Sequence, residues 1–261
     1  MTPAAPAWPA TRWQRRARPL LGTLVEVGVG TECGLEQTAI SAAFEAVLEV
    51  QRCLSRFDAD SDISRFHKLR CGERLTLRPA TRAVLVAARE LQSISGGAFD
   101  ISLGTAPDGW RVDGDQLRRL EPDARLDLGG IGKGYAVDCA VQALIGHGCA
   151  AGWVNAGGDL RAFGDVELPL QLRDEARGGV RPFATLRDGA FATSHAAQWG
   201  MAPARGPPAL HAHVSVAAPL CLWADALTKV VALSADPAHP ALARWGATAW
   251  LHGSGCPHRP A

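Results

Sequence analysis

The segment Asp127-Leu128-Gly129-Gly130-Ile131-Gly132-Lys133-Gly134-Tyr135 packs four glycines, a carboxylate and one of the chain's three lysines into nine residues. Glycines let backbone groups approach a ligand closely, and a helix opening from such a turn offers its N–H groups to phosphate oxygens. It is not a Walker loop, which needs Ser or Thr where Gly134 stands; a tight strand-to-helix turn with a solvated lysine is the competing reading. Asn155-Ala156-Gly157-Gly158-Asp159 joins two apolar runs and ends in an acid, which is also ordinary hairpin chemistry. Gly96-Gly97-Ala98-Phe99-Asp100 again sets glycines before an aromatic ring and a carboxylate. In Ala224-Asp225-Ala226-Leu227-Thr228-Lys229, Asp225 reads as a plain helix cap or as a ligand for a hard cation. Together, four separated Gly/Asp clusters, one with Lys and one with Asp-x-x-Thr, suit a nucleotide diphosphate bridged by a divalent cation.

The elements that must position these groups follow from periodicity. Leu20 to Val29 is β-branched and glycine-bounded, and reads as a strand. Apolar residues at helical spacing give a helix over Leu35 to Leu54; a polar segment, Ser55 to Lys68, follows, and a second helix runs from Pro79 to Ser93, ended by Gly96-Gly97. Gly134 to Gly146 is a third helix and Trp223 to Leu233 a last one. Short strands are expected at Gly152 to Asn155, Leu160 to Phe163, Leu168 to Leu172, Phe183 to Leu186, His211 to Ala217 and Ala247 to Leu251. Without regular strand–helix alternation the fold class is α+β.

Composition bounds the function. With 27 basic and 26 acidic residues in 261, a formal charge of +1 and 47% hydrophobic content, the chain is globular and poorly suited to coat nucleic acid or another polyanion. Seven widely spaced cysteines with no C-x-x-C pair read as reduced thiols. The Arg15-Arg16 pair before an apolar stretch superficially resembles an export signal, but Glu26 interrupts that stretch and no small-residue cleavage site follows, so a cytoplasmic protein without a membrane span is expected. The basic residues are nearly all arginine, which makes each surviving lysine a candidate for a role needing a compact ammonium.

In order and spacing these motifs resemble the ApbE family of flavin transferases, which move FMN from FAD onto a protein Thr or Ser. The resemblance runs from Leu21-Gly22-Thr23 (family M-G-T) through Phe57 to Ser64 (Y-x-x-x-S-E-[LI]-S), Gly97 to Asp100, Asp127 to Tyr135 (D-L-G-G-I-A-K-G-Y), Asn155 to Asp159 (N-x-G-G-D), Ala192-Thr193-Ser194 (A-T-S-G) and Asp225. It implies a T-fold-related α+β domain over residues 19–251, with tails 1–18 and 252–261 and a flavin cleft between two subdomains. It implies that Leu21, Phe57, Ala98, Phe99, Asp100, Asp127 and Lys133 line the FAD site, with Lys133 and Asp225 catalytic. Mg²⁺ would be held by the Gly130 carbonyl, Asp225 and a hydroxyl, and the partner would be an acceptor flavoprotein presenting Thr or Ser.

Four departures stand out. Phe57 replaces the family's adenine-stacking tyrosine, keeping the ring and losing the hydroxyl. His195 stands where glycine is usual, and the family's T-H-I-I-D-P motif is not recognisable between Gln198 and His213. Lys229 stands where the family has a metal-ligating threonine. An ammonium about 4 Å from a divalent cation would be repelled by on the order of 8 kcal/mol at an effective dielectric near 20. The expectation is therefore that Lys229 turns away and Thr228 supplies the hydroxyl to Mg²⁺; the alternative is that Lys229 itself neutralises the pyrophosphate and no metal binds. An FAD pyrophosphatase and a non-catalytic flavin-binding protein are the other readings of the same motifs.

Overall fold

The structure is a computed structural model that describes residues 13–31, 34–173, 178–195 and 211–253. Its first half runs β1 (Trp13–Leu20), β2 (Thr23–Gly30), α1 (Glu36–Leu54), α2 (Asp62–Lys68), β3 (Arg74–Thr76), α3 (Pro79–Ile94), β4 (Trp110–Asp113), β5 (Gln116–Arg119) and α4 (Gly132–Gly146). The second half runs β6 (Gly152–Ala156), β7 (Asp159–Phe163), β8 (Leu168–Arg173), β9 (Val180–Leu186), β10 (Gly189–His195), β11 (His211–Ala218), α5 (Cys221–Ser234), α6 (Ala241–Arg244) and β12 (Thr248–Gly253).

A seven-stranded sheet in the order β1-β2-β6-β7-β10-β11-β12 is the frame, antiparallel throughout, as an α+β fold requires. One face carries a helical layer: α4 packs against α1, α5, β6 and β7, and α5 lies across β10 and β11. The other face meets the β8–β9 hairpin through a second apolar cluster that includes Trp153, Leu170, Leu172 and Phe191. Enclosed between α4 and the strands β7, β10 and β11, α5 is buried over most of its surface, Ala224, Asp225, Ala226, Leu227 and Thr228 being inaccessible to solvent. In α1 the buried residues Ile40, Phe44, Val47, Val50 and Leu54 form a single stripe. Each large apolar side chain so buried contributes about 1.5–3 kcal/mol, against about 1 kcal/mol for a typical cap.

Caps still decide where the helices begin. Cys221 N–H (3.0 Å) and Leu222 N–H (2.8 Å), at the start of α5, donate to the carboxylate of Asp138 on α4, which also accepts from Arg161 Nη1 of β7 at 2.7 Å. A buried acid on one helix thus caps another. The Phe57-to-Ser64 motif is also largely structural. Ser61 accepts the Ser64 N–H at 3.0 Å to start α2, and buried Asp62 accepts from Arg78 N–H (2.8 Å) and Thr81 Oγ1 (2.7 Å) at the start of α3.

The sequence reading needs correction in four places. The strand expected from Leu20 is a hairpin whose first arm begins at Trp13, inside the segment assigned to a tail, and Leu21-Gly22 is its two-residue turn with φ of 55° and 71°. A side chain at Leu21's φ is costly, but the mirror-image turn matches the twist of the two strands it joins. The polar segment after α1 contains α2, whose seven residues are too short for a periodic signal. The Ala192-Thr193-Ser194 motif lies on a central strand, β10, that periodicity does not reveal, and β3, β4 and β5 form a small separate sheet. Residues 196–210, including the Pro-rich loop at Ala202 to Pro208, lie outside the described residues, as do Trp8, Cys33 and Cys256.

Candidate functional site

Two turns and the helix α5 meet around the amino-terminal end of α4. The β6–β7 turn, Gly157-Gly158, sits beside the β1–β2 turn, so close that a Cβ on Gly157 would lie 2.4 Å from Thr23 Oγ1. Asn155 Oδ1 accepts the Gly158 N–H at 2.9 Å and closes that turn. The turn delivers Asp159, buried at the first position of β7, to Lys133 in the first turn of α4, where carboxylate and ammonium form an ion pair. On the other side α5 presses against α4 at Gly134, whose N–H donates to Asp225 Oδ2 at 3.0 Å. The remaining oxygen of Asp225 accepts from Lys229, one helical turn on.

The result is a compact cluster of two carboxylates and two ammonium groups around a glycine turn. Burial works against the charge on Lys133, but Asp225 and Asp159 outweigh it and raise its pKa above the usual lysine range. Burial also works against ionised Asp225, yet Lys229, Lys133 and the Gly134 N–H hold its pKa down. Asp159 goes the other way: burial and the neighbouring Asp225 carboxylate raise it to about 6 despite Lys133. The two acids are thus driven apart. Asp225 is a fixed anion, and Asp159 is the group that can take a proton near neutrality.

Lys229 does not turn away. Its Nζ donates to Asp225, to the Asp225 carbonyl at 2.9 Å and to Ser194 Oγ at 3.0 Å, and its aliphatic stem lies against Gly130, where a Cβ would come within 3.4 Å of Cε. The expectation that Thr228 is turned towards a cation is also overturned. Thr228 Oγ1 donates to the Asp225 carbonyl at 2.7 Å and lies 2.7 Å from Ser194 Oγ, with no accessible surface. Both follow from helix geometry. Position 229 lies one turn after Asp225 on its face, so the longer ammonium side chain reaches the carboxylate first. Of the implied magnesium ligands, Asp225 is therefore bonded to Lys229 Nζ, Gly130 lies against the Lys229 stem, and the Thr228 hydroxyl is taken up by the Asp225 carbonyl and Ser194. Mg²⁺ takes oxygen ligands near 2.1 Å and would sit against an ammonium already bonded to its main carboxylate. The residues present do not fit that ion, and among the described residues no group of three or more His, Cys, Asp or Glu is poised to hold another metal.

A second set of groups borders the start of the glycine turn. Asp127 Oδ1 accepts the Gly129 N–H and Oδ2 accepts Arg56 Nη1, both at 2.8 Å, and the Arg56 guanidinium lies 4.8 Å from the centroid of the Phe57 ring. Phe57 is 86% exposed, an unusual state for a phenylalanine on an otherwise well-packed fold. Leu21 is tied to α1, its N–H donating to Gln51 Oε1 at 2.6 Å, and Leu54 at the end of α1 touches Gly132. The 98–100 segment contributes differently from what the motif suggests. Phe99 is core at 4% exposure and Ala98 packs against that core, while Asp100 accepts from Ser102 N–H (2.8 Å), Ser102 Oγ (2.7 Å) and Gly104 N–H (2.9 Å). These three shape a loop, and the loop meets the site through Ile101, whose carbonyl accepts the Asp127 N–H at 2.8 Å.

Four contributors escaped sequence reasoning: Asp159, which reads as the end of a hairpin turn and is instead paired with Lys133, and Ser194, Arg56 and Asp138. Ser194 escaped because β10 itself is not revealed by periodicity; on that strand it faces α5 while Thr193 and His195 face the opposite side. There Thr193, His195, Asn155, Gly157, Gly158 and Arg181 border a cavity of about 540 Å³ beneath the β8–β9 hairpin. Arg56 and Asp138 carry no local signal, because their partners lie 71 and 83 residues away.

The model of the ApbE family matches residues 21–122 and 111–249. The chain belongs to the ApbE family. An FAD:protein FMN transferase from Treponema pallidum is 25% identical over 64% of this chain and 57% of its own length. A protein of the same name from Vibrio cholerae is 24% identical over 56% of this chain and 53% of its own. The chain thus spans little more than half the length of these curated relatives. Among solved structures, the flavin transferase ApbE from Vibrio cholerae superposes with a TM-score of 0.75 at 21% identity, over 86% of this chain and 87% of that one. The ApbE protein of Thermotoga maritima gives 0.75 at 22% over the same shares. At these identities the superpositions establish the fold of this ApbE-family chain, an α+β arrangement of mixed sheets and helices.

Proposed function

We propose that this ApbE-family chain is a flavin transferase that takes FAD as donor and moves its FMN half onto a Thr or Ser hydroxyl of an acceptor protein. The observation that carries the reading is the pair of ammonium groups, Lys133 and Lys229, gathered by buried carboxylates at the glycine-rich start of α4. Phe57 and Arg56 stand exposed at the other end of the same turn, a planar surface suited to an adenine or flavin ring. In the transfer, a bond forms between the acceptor oxygen and the FMN phosphorus, the bond from that phosphorus to the AMP oxygen breaks, AMP leaves with that oxygen, and the hydroxyl proton passes to solvent. Negative charge grows on the departing phosphate, and donors fixed in advance at that place lower the barrier. Lys133 is such a donor: Asp159 and Asp225 keep it charged, and a third of its side-chain surface is accessible. Magnesium, which the family resemblance implies, is left out of this reading because Lys229 takes its place. The cytoplasm is the compartment we assign, on the odd number and wide spacing of the cysteines.

Incubation with FAD, with and without a Thr-bearing acceptor peptide, tests the proposal by chromatography for AMP and by the mass of the peptide. Transfer releases AMP and adds FMN less water to the peptide. AMP without a peptide adduct would make the protein a pyrophosphatase, and bound FAD that stays intact would make it a flavin-binding protein.

A further inference from the structure

We propose that Lys229 is a built-in replacement for the divalent cation, so that this chain binds a nucleotide diphosphate without metal. The inference rests on the flavin reading for the identity of the ligand, but not for the exclusion of the metal. Two observations support it together. The Lys229 ammonium is bonded to the Asp225 carboxylate, the Asp225 carbonyl and Ser194, and its stem lies against Gly130, so it already occupies the coordinating face of the carboxylate that a bridging cation would need. Its side chain is 12% accessible and that of Asp225 is not accessible at all, so whatever enters meets the lysine side chain and not the carboxylate.

Charge arithmetic makes the idea specific. Lys133, Lys229, Asp159 and Asp225 sum to zero. With threonine at position 229 the same cluster would carry one net negative charge and repel a diphosphate until a divalent cation brought it to one positive. The parent chain needs no such correction, and a divalent cation would have to displace an ammonium from a buried carboxylate. Lys229 is therefore both the neutralising group and the device that excludes the metal, a specificity element acting by repulsion.

The test compares the full chain with Lys229→Thr, using Mn²⁺ alone and then FAD as probes. In an Mn²⁺ titration followed by paramagnetic resonance, the parent should show no stoichiometric site and Lys229→Thr should gain one. A tight Mn²⁺ site in the parent that vanishes in Asp225→Ala would overturn the proposal. In FAD titrations followed by flavin fluorescence, the parent should bind equally in EDTA and in Mg²⁺. Lys229→Thr should bind about tenfold or more weakly in EDTA, the loss of one charge-assisted contact, and recover in Mg²⁺. Parent affinity that falls in EDTA, or a variant indifferent to both conditions, would also overturn it. Should Lys229→Thr fail to fold, the parent arms still decide between the outcomes. Should neither protein bind FAD, the flavin reading falls, while the Mn²⁺ titration still decides whether Lys229 holds the cation's place.

Discussion

Replacing Gly134 with alanine should drive a methyl group into the backbone of the neighbouring helix. The added Cβ would lie 2.3 Å from the Cys221 carbonyl oxygen, 2.7 Å from its carbon and 2.8 Å from Asp225 Cβ. Non-bonded carbon contacts relax at about 3.5 Å, so α4 and α5 must separate locally by roughly 1 Å. Overpacking of that kind costs about 1–3 kcal/mol. The separation also stretches the 3.0 Å bond from the Gly134 N–H to buried Asp225, a contact to a charged group worth about 1.5–3 kcal/mol. Alanine's better helix propensity returns about 1 kcal/mol. The expected loss is about 3 kcal/mol, a fall in Tm of roughly 6 °C for a domain of this size. Gly132→Ala is the internal comparison, since its Cβ would meet only Leu54 Cδ1 at 3.4 Å and Leu128 Cβ at 4.0 Å. It should be neutral or slightly stabilising. Urea and thermal unfolding of the two variants decide the matter: equal effects at the two glycines, or a Gly134→Ala protein within about 1 kcal/mol of the parent, would refute the close helix contact on which the geometry of Asp225 depends.

Other expectations follow from the same contacts. Asp138→Ala should cost about 3 kcal/mol in urea unfolding, because it strips the start of α5 of its cap and leaves Arg161 unpaired in a half-buried place; a loss no greater than that of a surface substitution would show the cap to be idle. Phe57→Ala should leave the Tm unchanged, given the ring's exposure, and weaken FAD binding by about 0.5–1.5 kcal/mol in a fluorescence titration. His67 Nε2 accepts the Leu126 N–H at 2.9 Å, and burial with Arg125 and Arg119 nearby lowers its pKa. The unfolded chain therefore binds the proton more readily, and stability should fall as the pH drops below about 6.5. That part of the acid limb should be missing in His67→Gln, and its persistence there would assign it to another group.

Much of the helical layer was legible because it repeats: α1, α3, α4 and α5 each bury a face at helical spacing, and the glycines after α3 mark its end. What escaped is non-local or short. β10 is central in the sheet, yet its sequence GAFATSH offers no long apolar run, and the identity of its neighbours is set by β7 and β11. The β1 arm reads as a charged tail because its sequence, WQRRARPL, pairs on one side only and leaves most side chains exposed. Edge strands tolerate and favour such charge, since it blocks pairing with other chains. Phe99 and Asp100 show the converse limit. Their residue types suit a ligand wall, but the glycines before them turn the chain so that the ring enters the core and the carboxylate ties down its own loop.

Lys229 was the position where residue type and geometry had to be weighed together. Repulsion from a divalent cation argues correctly that lysine and magnesium cannot share the site, but it does not say which of the two yields. The deciding contribution is local and was already in the sequence: Asp225 and Lys229 are four apart on one helix, with the acid first, the favourable order for such a pair. That helix is buried, so the ammonium cannot trade the carboxylate for water by turning outward. At position 228 the short hydroxyl reaches its own helix carbonyl and Ser194 before it reaches the cleft. With the face of α5 around Asp225 buried, Lys229 has its strongest partner in that carboxylate, and the place next to it belongs to the side chain that is always present.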